Sequence, residues 1–280
     1  MSLFIASLNS GSNGNCYYVG NENEAVLVDA GISCSEIEVR MQRLGLSMEK
    51  IKAVFLSHEH SDHVLGIPKL VKKYQLPLYV TPETYVAARI HLPHKLVFTF
   101  GAHKPVRIGN LHITGFPKWH DAVDAHSFIV EGSGVTIGVF TDIGKPCEHV
   151  NTYFAKCHAV FLETNYDEEK LEKGRYPYVL KKRIRGDQGH LSNVQALELF
   201  IQHHAPFLSH LLLSHLSKEN NHPDLAANLF NEYAGNVKVV VASRDVETAI
   251  YEIEHNHVAA LVKPFLKKSS KPAQVQLRLF

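Results

Sequence analysis

The chain has 280 residues, 45% hydrophobic and 20% charged, which supplies enough apolar material for a full core and excludes an intrinsically disordered protein. Lysine plus arginine (29) nearly balance aspartate plus glutamate (28) at a formal charge of +1, so no global field draws the protein to nucleic acid or to a membrane. Any basic site must be local, and the compositional departure is instead 19 histidines, the residue type that most often ligates metal.

In chain order, the opening MSLFIASLNSGSNGN lacks the basic, apolar and small-residue regions of a secretory signal. No apolar run approaches the roughly 18 residues of a bilayer span. The expectation is a cytoplasmic protein with no membrane partner. Cys16, Cys34, Cys147 and Cys157 form no C-x-x-C pair and read as reduced, partly buried thiols. No linker, charge block or repeat divides the sequence, so residues 1–280 read as a single domain.

The first half runs through strands LFIASL, NCYYVG, EAVLVDAG, IKAVFLS, LPLYV, LHITGF, SFIVE and VTIGVFTD, punctuated by Gly, Asn and Asp. The Asn9 to Asn15 loop is either a plain hairpin turn or a backbone N–H nest for phosphate. Helices are predicted at about 36–44 and 63–74, the second from Val64, Ile67, Leu70, Val71 and Tyr74, and a third after Thr81. The second half alternates strand HAVFLE, a basic segment near 181–185, a helix from about 193, strand HLLLS, a helix from about 223, and strand VKVVVAS. Ser192 with Gln195 predicts a capping box, and Pro223 suits a first helical turn. The tail after about Pro264 reads as a final edge strand. Strand-rich halves ending in β/α units predict two packed sheets with helices outside, an α/β fold.

Strand IKAVFLS runs directly into His58-Glu59-His60-Ser61-Asp62-His63. In an extended segment residues 58, 60 and 62 point to one side, and His63 in a first helical turn swings back toward the same space. Two imidazoles for one metal, with a carboxylate and a third imidazole for its neighbour, make the local half of a binuclear site.

This pattern resembles the signature of the metallo-β-lactamase superfamily, a four-layer αββα sandwich of two mixed sheets with outer helices and metals at one edge. Asp29 in VDAG, His120 in FPKWHD, Asp142 in FTDIG and His215 in LLLSHLS supply the other superfamily elements in order. The resemblance implies that His58, His60 and His120 bind one divalent metal and that Asp62, His63 and His215 bind the other. Asp142 then bridges both, and Asp29 orients the loop rather than ligating. Zinc, manganese and iron all suit such mixed imidazole and carboxylate ligands. LETNYD, with Glu163, and GHLSN, with His190, resemble the paired loops flanking the active site in the phosphodiesterase branch that includes RNase Z. There Glu163 could hold the ring of His190, which as an imidazolium could stabilise phosphoryl charge or protonate a leaving alkoxide. Asp62, Glu163 and His190 are thus the candidate catalytic groups.

Together SGSNGN, ETNYD, KKRIRGDQGHLSN and HLSKENN make the chain similar to the WalJ (YycJ) family of small proteins of this fold, associated with exonuclease action on double-stranded DNA. The interval from Asp142 to His215 leaves no room for the β-CASP insertion of RNase J-like enzymes, and that from His120 to Asp142 is too short for an RNase Z-type arm. The resemblance implies phosphodiester hydrolysis by a metal-bridging hydroxide, with duplex DNA the favoured nucleic acid substrate. Lys181, Lys182, Arg183 and Arg185 either hold the phosphate backbone or form a solvated face. Two other readings stay open: a hydrolase of a small ester, thioester or lactone, and a metal-binding regulatory protein with weak activity.

Overall fold

The computed structural model describes residues 2–255 and 262–263. Three antiparallel strands open the chain: β1 (Ser2–Asn9), β2 (Cys16–Gly20) and β3 (Ala25–Val28). Helix α1 (Cys34–Arg43), capped by the Ser33 side chain on the Glu36 amide, leads to β4 (Ile51–Phe55), parallel to β3. The helical turn α2 (Ser61–Val64), helix α3 (Ile67–Tyr74), strand β5 (Leu78–Tyr79), helix α4 (Pro82–Ala88) and strand β6 (Val97–Phe98) follow. Strands β7 (Pro105–Ile108), β8 (Leu111–Pro117), β9 (His126–Gly132) and β10 (Val135–Phe140) form an antiparallel meander. Next come α5 (Glu148–Phe154), β11 (Ala159–Glu163), the short helices α6 (Glu168–Lys173) and α7 (Tyr178–Ile184), and α8 (Asn193–His203). Strand β12 (His210–Ser214), helix α9 (Pro223–Tyr233) and strands β13 (Lys238–Val241) and β14 (Tyr251–Glu254) complete the described elements.

The strands make two seven-stranded mixed sheets, ordered β14-β1-β2-β3-β4-β5-β6 and β13-β12-β11-β10-β9-β8-β7. Period-two side chains explain their stacking. From β1, Leu3 and Ile5 point into the core between the sheets, with Val26, Phe55, Phe128, Ile137 and Phe161. Ala6 and Leu8 point the other way, under α1 and α3, where Ile37, Met41, Leu70 and Val71 cover them. Val160, Leu211 and Leu213 face α5, α8 and α9 through Phe154, Phe200 and Phe230. Strands buried on both faces read as the near-continuous apolar runs seen in the sequence. The result is the expected four-layer sandwich, helices outside two sheets.

Two local expectations change. The helix predicted at 63–74 is broken at Gly66, whose amide donates to the Ala30 carbonyl. A Cβ there would lie 2.1 Å from the Ile32 oxygen, so that backbone contact takes precedence over helix continuity. The edge strand expected after Pro264 lies outside the described residues, and β14 pairs with β1 at the edge of the first sheet. The capping box of Ser192 and Gln195 is present at the start of α8. All four cysteines are free thiols, and no helix among the described residues is long and apolar enough to cross a membrane.

The C-terminal ends of β3, β4, β8, β10, β11 and β12 meet at one edge of the sandwich, where they deliver Asp29, the His58–His63 segment, His120, Asp142, Glu163 and His215. A crevice outside the carboxyl ends of strands is where an α/β sheet leaves room for a ligand.

Candidate metal centre and active site

Three of these groups depend on an unusual backbone. Asp29 (φ 61°), Asp142 (φ 55°) and His215 (φ 56°) each turn left-handed at or just beyond the end of a strand. Such conformations cost about 1–3 kcal/mol each for a residue with a side chain and persist where the surroundings over-determine them. Here they turn the side chain off the sheet and into the crevice.

The imidazoles are held in a common way. Asp29 accepts the Ser57 amide and hydroxyl, both at 2.8 Å, and the Nδ1–H of His63 at 2.7 Å. Ser57 Oγ, its proton committed to Asp29, accepts from His58 Nδ1 at 2.8 Å. His120 Nδ1 donates to the Gly189 carbonyl at 3.1 Å, and His215 Nδ1 to Glu163 Oε1 at 3.0 Å. Four rings thus spend Nδ1 on a fixed acceptor and turn Nε2 inward, the tautomer that metal ligation requires. His60 presents Nδ1, 3.4 Å from His120 Nε2.

Possible ligand atoms lie within 4.8 Å of one another in the sets His58, His60, His120; Asp62, His63, His215; His58, His63, Asp142; and Asp142, Glu163, His190, His215. Buried His58 Nε2, His215 Nε2 and Asp142 Oδ2 make no hydrogen bond. An unsatisfied buried polar atom costs about 1–3 kcal/mol, so three of them converging on one space fit a cation held there. Charge agrees. Burial opposes ionisation of Asp142, yet His215 and His63 hold its carboxyl well below the usual range. Burial likewise disfavours charge on His215, but Asp142, Asp62 and Glu163 raise its pKa to about 10. His63, also buried, is raised by Asp29, Asp142 and Asp62. Burial pushes His120 down to about 3. The cluster is a focus of negative charge that selects for cations.

Behind it, Glu163 is fully buried and makes four contacts. Oε1 accepts from His190 Nδ1 at 2.7 Å and from His215, while Oε2 accepts the amides of Ile143 (2.7 Å) and Leu191 (3.2 Å). The expected contact of Glu163 with His190 is present, and the Glu163 side chain is buried behind the ring it holds. His190 is 21% exposed and lines, with His60, Asp62, His120, Asp142 and His215, a cavity of about 280 Å³. Helix α7 walls its outer side through Leu180, Arg183 and Ile184.

The basic run lies on and just beyond α7, with its charges largely engaged. Lys181 donates to the Glu172 carbonyl, Arg183 to Asp121, and Arg185 to Glu172 at 3.0 Å. Arg183 alone among the four lines the cavity. The Asn9–Asn15 loop is an internally bonded turn: the amides of Gly11 and Gly14 go to Asn15 Oδ1 and the Gly11 carbonyl, and that of Asn15 to the Asp62 carbonyl. Its product is Asn15, whose Nδ2 lies 3.1 Å from both Asp62 Oδ2 and His63 Nε2.

Sequence reasoning passed over Asn15, Ser57, Lys118 and Asn165. Asn165 donates to the His215 carbonyl at 2.9 Å. Lys118 is buried beside the histidines, with Nζ donating to the Thr141 carbonyl at 2.6 Å. Asn15, Lys118 and Asn165 lie inside the motifs SGSNGN, FPKWHD and LETNYD, and Ser57 adjoins His58, which was the available signal. The burial of Lys118 was not legible, because lysine is ordinarily exposed.

A family model of the metallo-beta-lactamase superfamily matches residues 10–210. The chain belongs to that superfamily. Within the metallo-β-lactamase superfamily it is 32% identical over 231 residues to the exodeoxyribonuclease YycJ of Bacillus anthracis, covering 81% of this chain and 87% of that one. It is 31% identical over 261 residues to the exodeoxyribonuclease WalJ of Streptococcus pneumoniae, covering 88% and 96%. These likenesses place it in the YycJ/WalJ family, as its motifs implied. Among solved structures, the metallo-beta-lactamase fold protein YhfI of Bacillus subtilis superposes with a TM-score of 0.69 at 17% identity, over 90% of this chain and 99% of that one, and so shares the fold. This superfamily member is a metal-dependent hydrolase.

Proposed function

We propose that the protein is a two-metal phosphodiesterase that degrades nucleic acid, duplex DNA foremost, as an exonuclease, with the chain acting as one cytoplasmic domain. The observation that carries the reading is His190, locked by Glu163 and facing the same small cavity as the histidine and aspartate cluster. A positioned imidazole can neutralise charge on a phosphoryl group and protonate its leaving alkoxide, which suits a phosphodiester, whereas the thiolate of a thioester leaves without such help. The names of the YycJ and WalJ relatives point the same way.

In this proposal His58, His60 and His120 would hold one cation and Asp62, His63 and His215 the other, with Asp142 within reach of both sets. Zinc, manganese or iron would serve. When bound, such ions acidify water and neutralise phosphoryl oxygens. The chain's own groups do the rest. Asp29 and Glu163 fix the rings of His63 and His215, and Asn15 steadies Asp62 from the side. Glu163 accepts a hydrogen bond from His190 Nδ1–H, which leaves Nε2–H to donate to a phosphoryl or leaving-group oxygen.

The test is a side-by-side assay of metal-loaded protein on end-labelled duplex DNA, single-stranded DNA, RNA, a lactone and a thioester. Shortening of duplex DNA from its ends, abolished by chelator, is the expected result. Turnover of the lactone or thioester with none of any nucleic acid overturns the proposal.

Gly31 offers a second check on the ligand assignment. A Cβ on it would fall 1.6 Å from the Asp62 carbonyl oxygen, so Gly31→Ala must displace the segment that carries Asp62 and His63. We expect metal affinity, read by competition with a chromophoric chelator, to fall by about tenfold or more while circular dichroism is retained. Unchanged affinity would remove Asp62 from the ligand set.

A further inference from the structure

A second cavity, of about 570 Å³, opens at the C-terminal ends of β12 and β13, outside the catalytic one. Ser217, two residues beyond His215, lines both cavities, so a chain lying across the metal cluster can run past it into this second space. The walls divide by chemistry. Leu216, Pro223 and Ala242 supply apolar surface, while Lys218 and Arg244 supply positive charge, with Asp245 the opposing carboxylate. Arg244 Nη1 is buried without a hydrogen-bond partner. Arg244 as a residue lines the cavity, and a phosphate oxygen is the acceptor that suits a guanidinium on such a wall best.

The surroundings hold Arg244 in place. Its carbonyl accepts Asn13 Nδ2 at 2.8 Å, and the neighbouring Ser243 carbonyl accepts the Ser10 amide at 3.1 Å. Gly11 lets the side-chain stem approach the loop, since a Cβ there would lie 3.3 Å from Arg244 Cβ. Ser10 Oγ in turn accepts the His215 amide at 2.7 Å, so the loop that fixes Arg244 also fixes a residue of the metal cluster. The 11-residue helix α9 begins at this cavity, and its N-terminal dipole adds positive potential. The volume lies within the usual range of small-ligand sites. An inorganic anion would leave the apolar wall unused; a nucleotide uses both parts.

We propose that this cavity is a nucleotide subsite, with a phosphate on Arg244 and Lys218 and the sugar and base against Leu216, Pro223 and Ala242. It rests on the nucleic-acid reading above, and there it holds the nucleotide adjoining the scissile phosphate. The probe is deoxyadenosine 5′-monophosphate, titrated by calorimetry into wild type, Arg244→Ala/Lys218→Ala and Asp142→Ala. Asp142→Ala should bind it as wild type does, and the double variant about tenfold or more weakly. Inorganic phosphate and deoxyadenosine should each bind more weakly than the nucleotide. With a duplex oligonucleotide the double variant should show KM raised about tenfold at unchanged kcat, and unchanged hydrolysis of bis(p-nitrophenyl) phosphate. Arg244→Gln keeps most of the stem without the charge and should move the same readings in the same direction. Equal nucleotide binding by wild type and double variant overturns the subsite, as does binding that disappears in Asp142→Ala. Should wild type cleave no nucleic acid while the binding pattern holds, the nuclease reading fails and the subsite stands.

Discussion

Asp142→Ala is expected to abolish hydrolysis and to lower affinity at both cation positions together. The Asp142 carboxylate is near His58 and His63 and also near His215, which places it between the two candidate ligand sets. Its Oδ2 is buried, with His63 Nε2, itself a candidate ligand atom, 3.2 Å away. Removal takes away one carboxylate from the group of Asp29, Asp62, Asp142 and Glu163 that surrounds these rings. Elemental analysis after reconstitution with manganese or zinc should fall from two ions per chain toward none, with a rate loss of at least about 10²-fold. His60→Ala, by contrast, should spare the set Asp62, His63 and His215. Loss of a single ion in Asp142→Ala, with the second bound as tightly as before, would contradict the shared position.

His190→Ala should keep both ions and lose turnover on the order of 10²-fold or more, the usual contribution of a positioned acid or base. The paired variant is Glu163→Gln, which keeps the shape of the side chain but weakens its hold on two rings at once. Because His190 and His215 share Glu163 Oε1, Glu163→Gln should lower both turnover and metal affinity, whereas His190→Ala lowers turnover alone. Rescue separates a positioning role from a structural one: Glu163→Asp, which keeps the carboxylate, should recover part of the turnover that Glu163→Gln loses. Equal metal loss in His190→Ala and Glu163→Gln would mean that His190 is itself a ligand.

Much of this arrangement could be read before any coordinates, and the reason is local. Strands buried on both faces must be apolar throughout, so LFIASL, AVLV and VTIGVF declare themselves, and H-x-H-x-D-H at a strand end is too dense in ligand-type groups for an ordinary turn. What stayed hidden depends on contacts between distant segments. Strand β14 has a short, mixed sequence, YEIE, and exists because β1 offers it an edge. The two-residue strand β6 has no periodicity to detect. The basic run looked like free charge because Asp121 and Glu172, which engage Arg183 and Arg185, are 62 and 13 positions away. The break at Gly66 comes from a backbone contact with Ile32, which no helical pattern encodes.

The strand ends that meet at the crevice come from both sheets: Asp62 and the first three histidines follow β4, while His120, Asp142 and His215 follow β8, β10 and β12. On the proposed assignment each cation therefore takes ligands from both sides, and the pair works as a clasp across the open edge of the sandwich. Between the sheets the packing is apolar and needs no ion, so chelation should leave the interior intact and loosen this edge first. Metal uptake and the closing of that edge become one equilibrium, with each bound ion stabilising the joined form by mass action. Scarcity of metal would then do more than silence the enzyme: it would expose the rim of the sandwich to proteolysis, tying the protein's lifetime to the supply of the ion it uses.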